Sequence, residues 1–149
     1  MKKRIFYSLL IVFLIVLLDQ LTKYLTRTHI DTFETIRIMP LVNLVHVHNE
    51  GAAFGMFRSF GNTFFILISV AAIIFISWVI VTGKENYILF SILAGGAIGN
   101  LIDRLVFGYV VDFVDISVSG FHWPAFNVAD SMLSIGIFLM LINLIRRKG

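Results

Sequence analysis

Cysteine is absent from this chain, and charged residues make up only 14% of its 149 positions. The first absence excludes disulfides, thiolate metal sites and a cysteine nucleophile together. The second is too low for a soluble domain of this size, because 58% of the residues are hydrophobic and the mean hydropathy is +0.92. The bilayer is the natural solvent for such a composition. Several catalytic signatures are missing as well. There is no helical His-Glu-x-x-His, no Gly-x-Ser-x-Gly elbow and no glycine-rich phosphate loop. His46 and His48 alternate on a candidate strand, but Asn49 and Glu50 complete no known metal spacing. No metal or other cofactor is therefore expected. Ser119 and His122 lie three positions apart in a loop and read as solvated residues. The net charge of +3 and pI near 9.5 do not indicate nucleic acid, because the basic residues sit at the ends of apolar segments rather than on one face.

Four apolar stretches are present, approximately Ile5–Leu25, Thr63–Thr82, Tyr87–Phe107 and Val128–Ile145, each near the ~20 residues that cross a hydrocarbon core. The first follows Met1-Lys2-Lys3-Arg4 and has the look of a cleaved signal peptide. No small-residue cleavage site follows it, however, and its pattern runs on through Asp19 and Lys23, so it reads as a retained span. Seven basic residues (Lys2, Lys3, Arg4, Lys84, Arg146, Arg147, Lys148) share one side with Glu85 alone, a balance of +6 against −3 on the other side. The positive-inside rule then places both termini in the cytoplasm. The expected fold class is an all-α membrane protein with four transmembrane helices and a small extracytoplasmic β element. Residues 1–149 are expected to form one domain. The β element is expected near Leu41–His48, bounded by Pro40 and a Gly51–Gly55 turn.

Ionisable residues within or beside membrane spans are costly and are functional candidates by default. Asp19 and Lys23 lie four apart on one helical face, the spacing of a neutralising ion pair. In the third span, Gly95 and Gly99 form a small-xxx-small pair that lets another helix approach. Asn100 and Arg104 follow one turn apart, with Asp103 beside them, and both donors project toward the same outer chamber. Asp112 stands among apolar neighbours, where desolvation favours its protonated form, and Asp115 is three residues further on. Pattern alone leaves the choice between those two open. Asn127 is a good N-cap, which puts Asp130 in the first helical turn, where a capping box is the simplest explanation. Two carboxylates at one depth in unlike surroundings are also the arrangement for general acid and general base on one water. A proton- or cation-relay transporter subunit is the alternative, but it needs acids in the inner half of the spans, and the chain has none there.

The ordered set of Asp19-Gln20-Leu21-Thr22-Lys23, Asn49-Glu50-Gly51-Ala52-Ala53-Phe54-Gly55, Gly99-Asn100-Leu101-Ile102-Asp103-Arg104, Val110-Val111-Asp112-Phe113 and Phe126-Asn127-Val128-Ala129-Asp130-Ser131 resembles the lipoprotein signal peptidases (signal peptidase II) along the whole chain. Glu50 departs from the usual Asn or Thr of that family. The resemblance implies an aspartic endopeptidase of the bacterial inner membrane, active at its outer face without metal or cofactor. Such enzymes cut prolipoproteins on the amino side of a diacylglyceryl-cysteine, within membrane lipids, and are blocked by globomycin-type inhibitors. The implied catalytic pair is Asp112 and Asp130. Asp19, Lys23, Asn49, Gly51, Asn100, Asp103, Arg104, Asn127 and Ala129 are implied to line or support the site, in a protein expected to act as a monomer. The resemblance also implies a β-sheet cradle and a mobile helix within 26–62.

Overall fold

The computed structural model describes residues 1–32, 34–51, 60–83 and 85–146. Four long helices are present: α1 (Lys2–His29), α2 (Gly61–Thr82), α3 (Tyr87–Val106) and α4 (Val128–Arg146). Each is long and apolar enough to cross a membrane. α1 extends about a turn beyond the expected span at its C-terminal end, where Thr22, Thr26 and Thr28 hydroxyls bond back to carbonyls of the preceding turn and so satisfy themselves within the helix. The three outer helices expose large apolar side chains such as Phe6, Phe13, Leu67, Phe75 and Phe138. Stable exposure of that kind requires lipid rather than water. The chain is a multi-pass membrane protein.

α3 is the central helix and packs against the other three. Its close approaches depend on small residues. A Cβ at Gly96 would stand 2.6 Å from the Ala129 carbonyl oxygen of α4, and one at Gly99 would stand 2.6 Å from an Asp19 carboxylate oxygen of α1. The Gly95/Gly99 pair thus admits α1, while Gly96 on the adjoining face admits α4. At the opposite end of the bundle, Gly83 closes α2 in a left-handed conformation (φ 69°). There the Arg4 guanidinium donates to the Val81 carbonyl at 2.7 Å. That bond ties the start of α1 to the last turn of α2.

At one end sits an antiparallel sheet in the order β1 (Thr35–Met39), β2 (Val42–Asn49), β3 (Val110–Val118), β4 (Phe121–His122). β-Branched residues dominate β3, which suits a pleated, half-buried surface. Val118 pairs with Phe121, and the two residues between them, Ser119 (φ 51°) and Gly120 (φ 83°), both take the left-handed conformation. Such a turn matches the twist of the strands. The sequence reading anticipated one strand in the first connection, whereas two form there and pair with β3 into a single cradle. The expected turn after Gly51 and any helix over 52–59 lie outside the described residues.

A backbone contact ties the sheet to the start of α4. Phe113 and Val114 donate to the Phe126 carbonyl at 3.1 and 2.9 Å, and Phe126 donates back to Val114 at 3.0 Å. The residue after that anchor is Asn127, so the start of α4 is held beside β3. Gly96→Ala should lower the thermal midpoint of the detergent-solubilised protein, by an amount corresponding to ~1–3 kcal/mol of overpacking. An unchanged midpoint would show that the α3–α4 contact has slack.

Candidate active site

The deepest layer of the site is a buried charge cluster. Lys23 is fully buried in the bundle. Its ammonium stands 2.8 Å from Asp19 Oδ2 and 3.2 Å from Asp103 Oδ2, both equally buried. The i, i+4 pair expected within α1 is therefore present, and α3 contributes a second acid to it. Asp103 does not simply pair with its neighbour Arg104. It also accepts from the backbone N–H of Val111 at 2.9 Å and from Gln20 at 3.0 Å. Asp19 accepts from the backbone N–H of Ala129 at 2.8 Å. Each acid thereby satisfies a backbone donor at the start of a different element, β3 for one and α4 for the other. A buried charge is tolerated only when paired and hydrogen-bonded in this way.

Lys23 also donates to Asn100 Oδ1 at 3.0 Å. That contact leaves the Asn100 amide NH₂ to face outward, and it donates to Asp130 Oδ1 at 2.7 Å. Asn127 works in parallel. Its Oδ1 accepts from the Asp130 backbone N–H at 2.8 Å, the N-cap bond of α4. Its Nδ2 donates to Asp112 Oδ1 at 2.7 Å, with longer contacts to Asn100 Oδ1 and the Val111 carbonyl. Asn49 supplies the other oxygen of Asp112 with a donor at 2.8 Å, and its own side-chain oxygen accepts from Gly51 N–H. The Asp130 side chain thus turns across the bundle to Asn100 rather than only serving the helix start. Three asparagines, Asn49, Asn100 and Asn127, hold the two carboxylates in one constellation.

Burial is the main influence on Asp112, the Asp130 charge the next, and together they push its carboxyl up to about 7. Hydrogen bonds from Asn49 and Asn127 oppose the rise without cancelling it. Asp115 goes elsewhere: three positions on in a strand it faces the other side, where Asn43 donates to it at 2.7 Å and His122 stands 2.9 Å away. Arg104 reaches Gly51 O at 3.0 Å, with its guanidinium 4.3 Å from the Phe65 ring. Beside the carboxylates a cavity of about 1180 Å³ runs down the bundle, lined by Asn100, Arg104 and Asp130 near the sheet and by Ile68, Ala72 and Leu133 further in. Gln20 and Asn62 also join the network. Gln20 joins Asp103, Asp19 and the Gly99 carbonyl, and Asn62 donates to the Arg104 carbonyl at 2.9 Å. Gln20 stands inside the quoted Asp19–Lys23 run, whereas Asn62 carried no sequence signal beyond a polar residue at the start of a span.

A polytopic membrane protein with two hydrogen-bonded carboxylates beside an apolar cavity is the class that fold and site define. The sequence model of the signal peptidase (SPase) II family matches residues 11–146. The lipoprotein signal peptidase of Thermodesulfovibrio yellowstonii is 41% identical over 147 residues, covering 99% of this chain and all of that protein. That of Syntrophotalea carbinolica is 42% identical over 141 residues, covering 90% of this chain and 88% of its own. Among solved structures, a bacterial membrane enzyme superposes with a TM-score of 0.87 at 34% identity, covering 96% of this chain and 90% of that one. The chain belongs to the signal peptidase II family and is a membrane peptidase.

Two outcomes follow from the geometry. Lys23→Met should destabilise the solubilised protein by ~3–5 kcal/mol, because it leaves two buried carboxylates without their counter-ion; a midpoint near that of the unaltered chain would contradict the cluster's role. Asp112 titrates higher in the fold than its ordinary 3.8, so its ionisation opposes folding. Stability should fall as pH rises from about 4 to about 7 and level off above. Asp112→Asn should flatten that stretch of the midpoint–pH curve, and parallel curves would contradict the assignment.

Proposed function

We propose that this peptidase is of the aspartic type, with Asp112 and Asp130 as its catalytic pair. The observation that supports the reading is their shared network: one carboxyl held near neutrality in a protonatable state, the other hydrogen-bonded to Asn100, and both joined through Asn127. In the proposed reaction the Asp130 carboxylate takes a proton from water as its oxygen attacks the scissile carbonyl carbon. Asp112 gives its proton to the carbonyl oxygen, forming a tetrahedral diol. Collapse of the diol breaks the C–N bond: Asp130 passes the proton it took from water to the leaving amine, and a diol hydroxyl returns its proton to Asp112 as the carboxylic acid product forms. The acid role falls to Asp112 because its burial beside the Asp130 charge keeps its carboxyl protonated up to about 7.

The substrate is a prolipoprotein, cut on the amino side of its diacylglyceryl-cysteine. The apolar cavity supports this reading, since lipid-modified substrate burying its chains there gains up to ~0.8 kcal/mol per CH₂. Few polar contacts are then needed for affinity. Asn100, Arg104 and Asn127 orient the peptide carbonyl, with Asp19, Lys23, Asp103, Asn49, Gly51 and Ala129 supporting them from behind. The protein is placed in the bacterial inner membrane, surrounded by membrane lipids, as a monomer with both termini in the cytoplasm and the sheet at the outer face. The charge balance of the loops supports that orientation. A globomycin-type inhibitor competes for the same cavity.

The test is release of signal peptide from a lipidated prolipoprotein by the purified full chain. Asp112→Asn and Asp130→Asn should each reduce turnover by ~10²–10⁴-fold, with activity retained in EDTA and lost with globomycin. Near-full turnover in either variant would remove that residue from the pair.

A further inference from the structure

We propose that Asn62, in the first turn of α2, positions the Arg104 guanidinium for the substrate; this rests on the reading of Arg104 as a donor that orients the peptide carbonyl. Asparagine at a helix start ordinarily caps its own helix. α2 begins without a side-chain cap, and the half-buried Asn62 gives its amide to the end of α3 instead. Its Nδ2 donates to the Arg104 carbonyl at 2.9 Å, and its Oδ1 accepts from Arg104 Nη1 at 3.4 Å. One amide thus grips the main chain and the side-chain head of the same residue. Both contacts demand the same orientation of that amide, because a carbonyl only accepts and a guanidinium only donates.

Closing α3 does not by itself require Asn62. The Arg104 carbonyl already accepts from the Gly108 N–H at 3.2 Å, so this helix end has a backbone partner without it. The contact that nothing else supplies is the one to Nη1. It is long, yet the charge on the donor strengthens it, and its effect is directional. Arginine has a long, rotatable stem, and its planar head is useful only when its fork is aimed.

Two further contacts complete the aim. Phe65, three residues along α2 from Asn62 and so on the same helical face, has its ring centroid 4.3 Å from the Arg104 guanidinium carbon. It covers one face of the cation. The Gly51 carbonyl accepts from Nη2 at 3.0 Å. Among the described residues, Asn62 and Gly51 therefore take one N–H from each terminal nitrogen. A guanidinium carries five N–H donors, so the others stay available. Arg104 itself is buried and lines the cavity beside Asp130. The first turn of α2 thus sets which donors of Arg104 face the substrate, although Asn62 touches none of the reacting atoms.

The experiment measures kcat and KM separately for signal-peptide release from a lipidated prolipoprotein, using the purified full chain, Asn62→Ala, Arg104→Lys and the double variant. Asn62→Ala should lower kcat by ~10-fold or more, toward the ~10²-fold that a misplacement of about 1 Å costs. KM should move by less than ~2-fold, because the cavity that supplies affinity is intact. In the Arg104→Lys background, whose ammonium has no fork to aim, Asn62→Ala should cost almost nothing more. ¹⁵N spectra of arginine-labelled protein add a readout that needs no turnover. The Arg104 Nη signals, identified by their loss from Arg104→Lys, should be resolved in the unaltered chain and merge in Asn62→Ala as the head turns freely. Unchanged kcat in Asn62→Ala, an equal loss in both backgrounds, a change in KM alone, or Nη signals that stay resolved without Asn62 would each overturn the positioning role. Full turnover in Arg104→Lys would instead overturn the reading of Arg104 itself, and the role of Asn62 with it.

Discussion

The buried ammonium of Lys23 is the interaction on which the rest of the structure depends. It lies between Asp19 and Asp103 with no exposure to solvent, and neither acid is tolerable there without it. The two acids in turn hold the backbone N–H groups of Ala129 and Val111. Those are the residues immediately before Asp130 and Asp112. The ion cluster is thus one step removed from each candidate catalytic carboxylate, in both cases along the main chain. Through Asn100 it has a third, side-chain route to Asp130. Burial within the bundle makes such a cluster effective, because water and salt screen buried charges little.

Placement of the charge follows from helix packing. Gly99 lets the Asp19 carboxylate come against α3, and Gly96 lets the start of α4 do the same from another side. Larger residues at either position would separate the helices that carry the cluster. The sheet completes the arrangement: Phe126 bonds to β3 and so brings Asn127 beside Asp112. Close packing and polar bonding are here two parts of one construction.

Much of this was legible in the sequence. The four spans could be read from apolar length, since α3 and α4 begin where expected and α2 begins two residues early. The Asp19–Lys23 pair followed from helical spacing, and the N-cap at Asn127 from its residue type. What could not be read was long-range. Spacing along one chain does not say that Asp103 joins Lys23 from another helix, or that Gln20 reaches it too. Nor could alternation decide between Asp112 and Asp115; the strand register sends them to opposite faces, one toward Asn127 and the other toward Asn43 and His122. The β1 strand was missed because its exposed residues, Thr35 to Met39, lack a buried alternating face. It is held by the pairing with β2 rather than by a core.

The central claim is that Asp112 keeps a proton close to neutrality while its partner carboxylate stays beside it. Infrared difference spectroscopy across a pH titration of the full chain in lipid reads this directly. A protonated-carboxyl C=O band should be present below about pH 7, as the raised carboxyl of Asp112 requires, fade as pH rises through that value, and be missing from Asp112→Asn. A spectrum showing only ionised carboxylates from pH 5 upward, or a band unaffected by that substitution, would contradict the account.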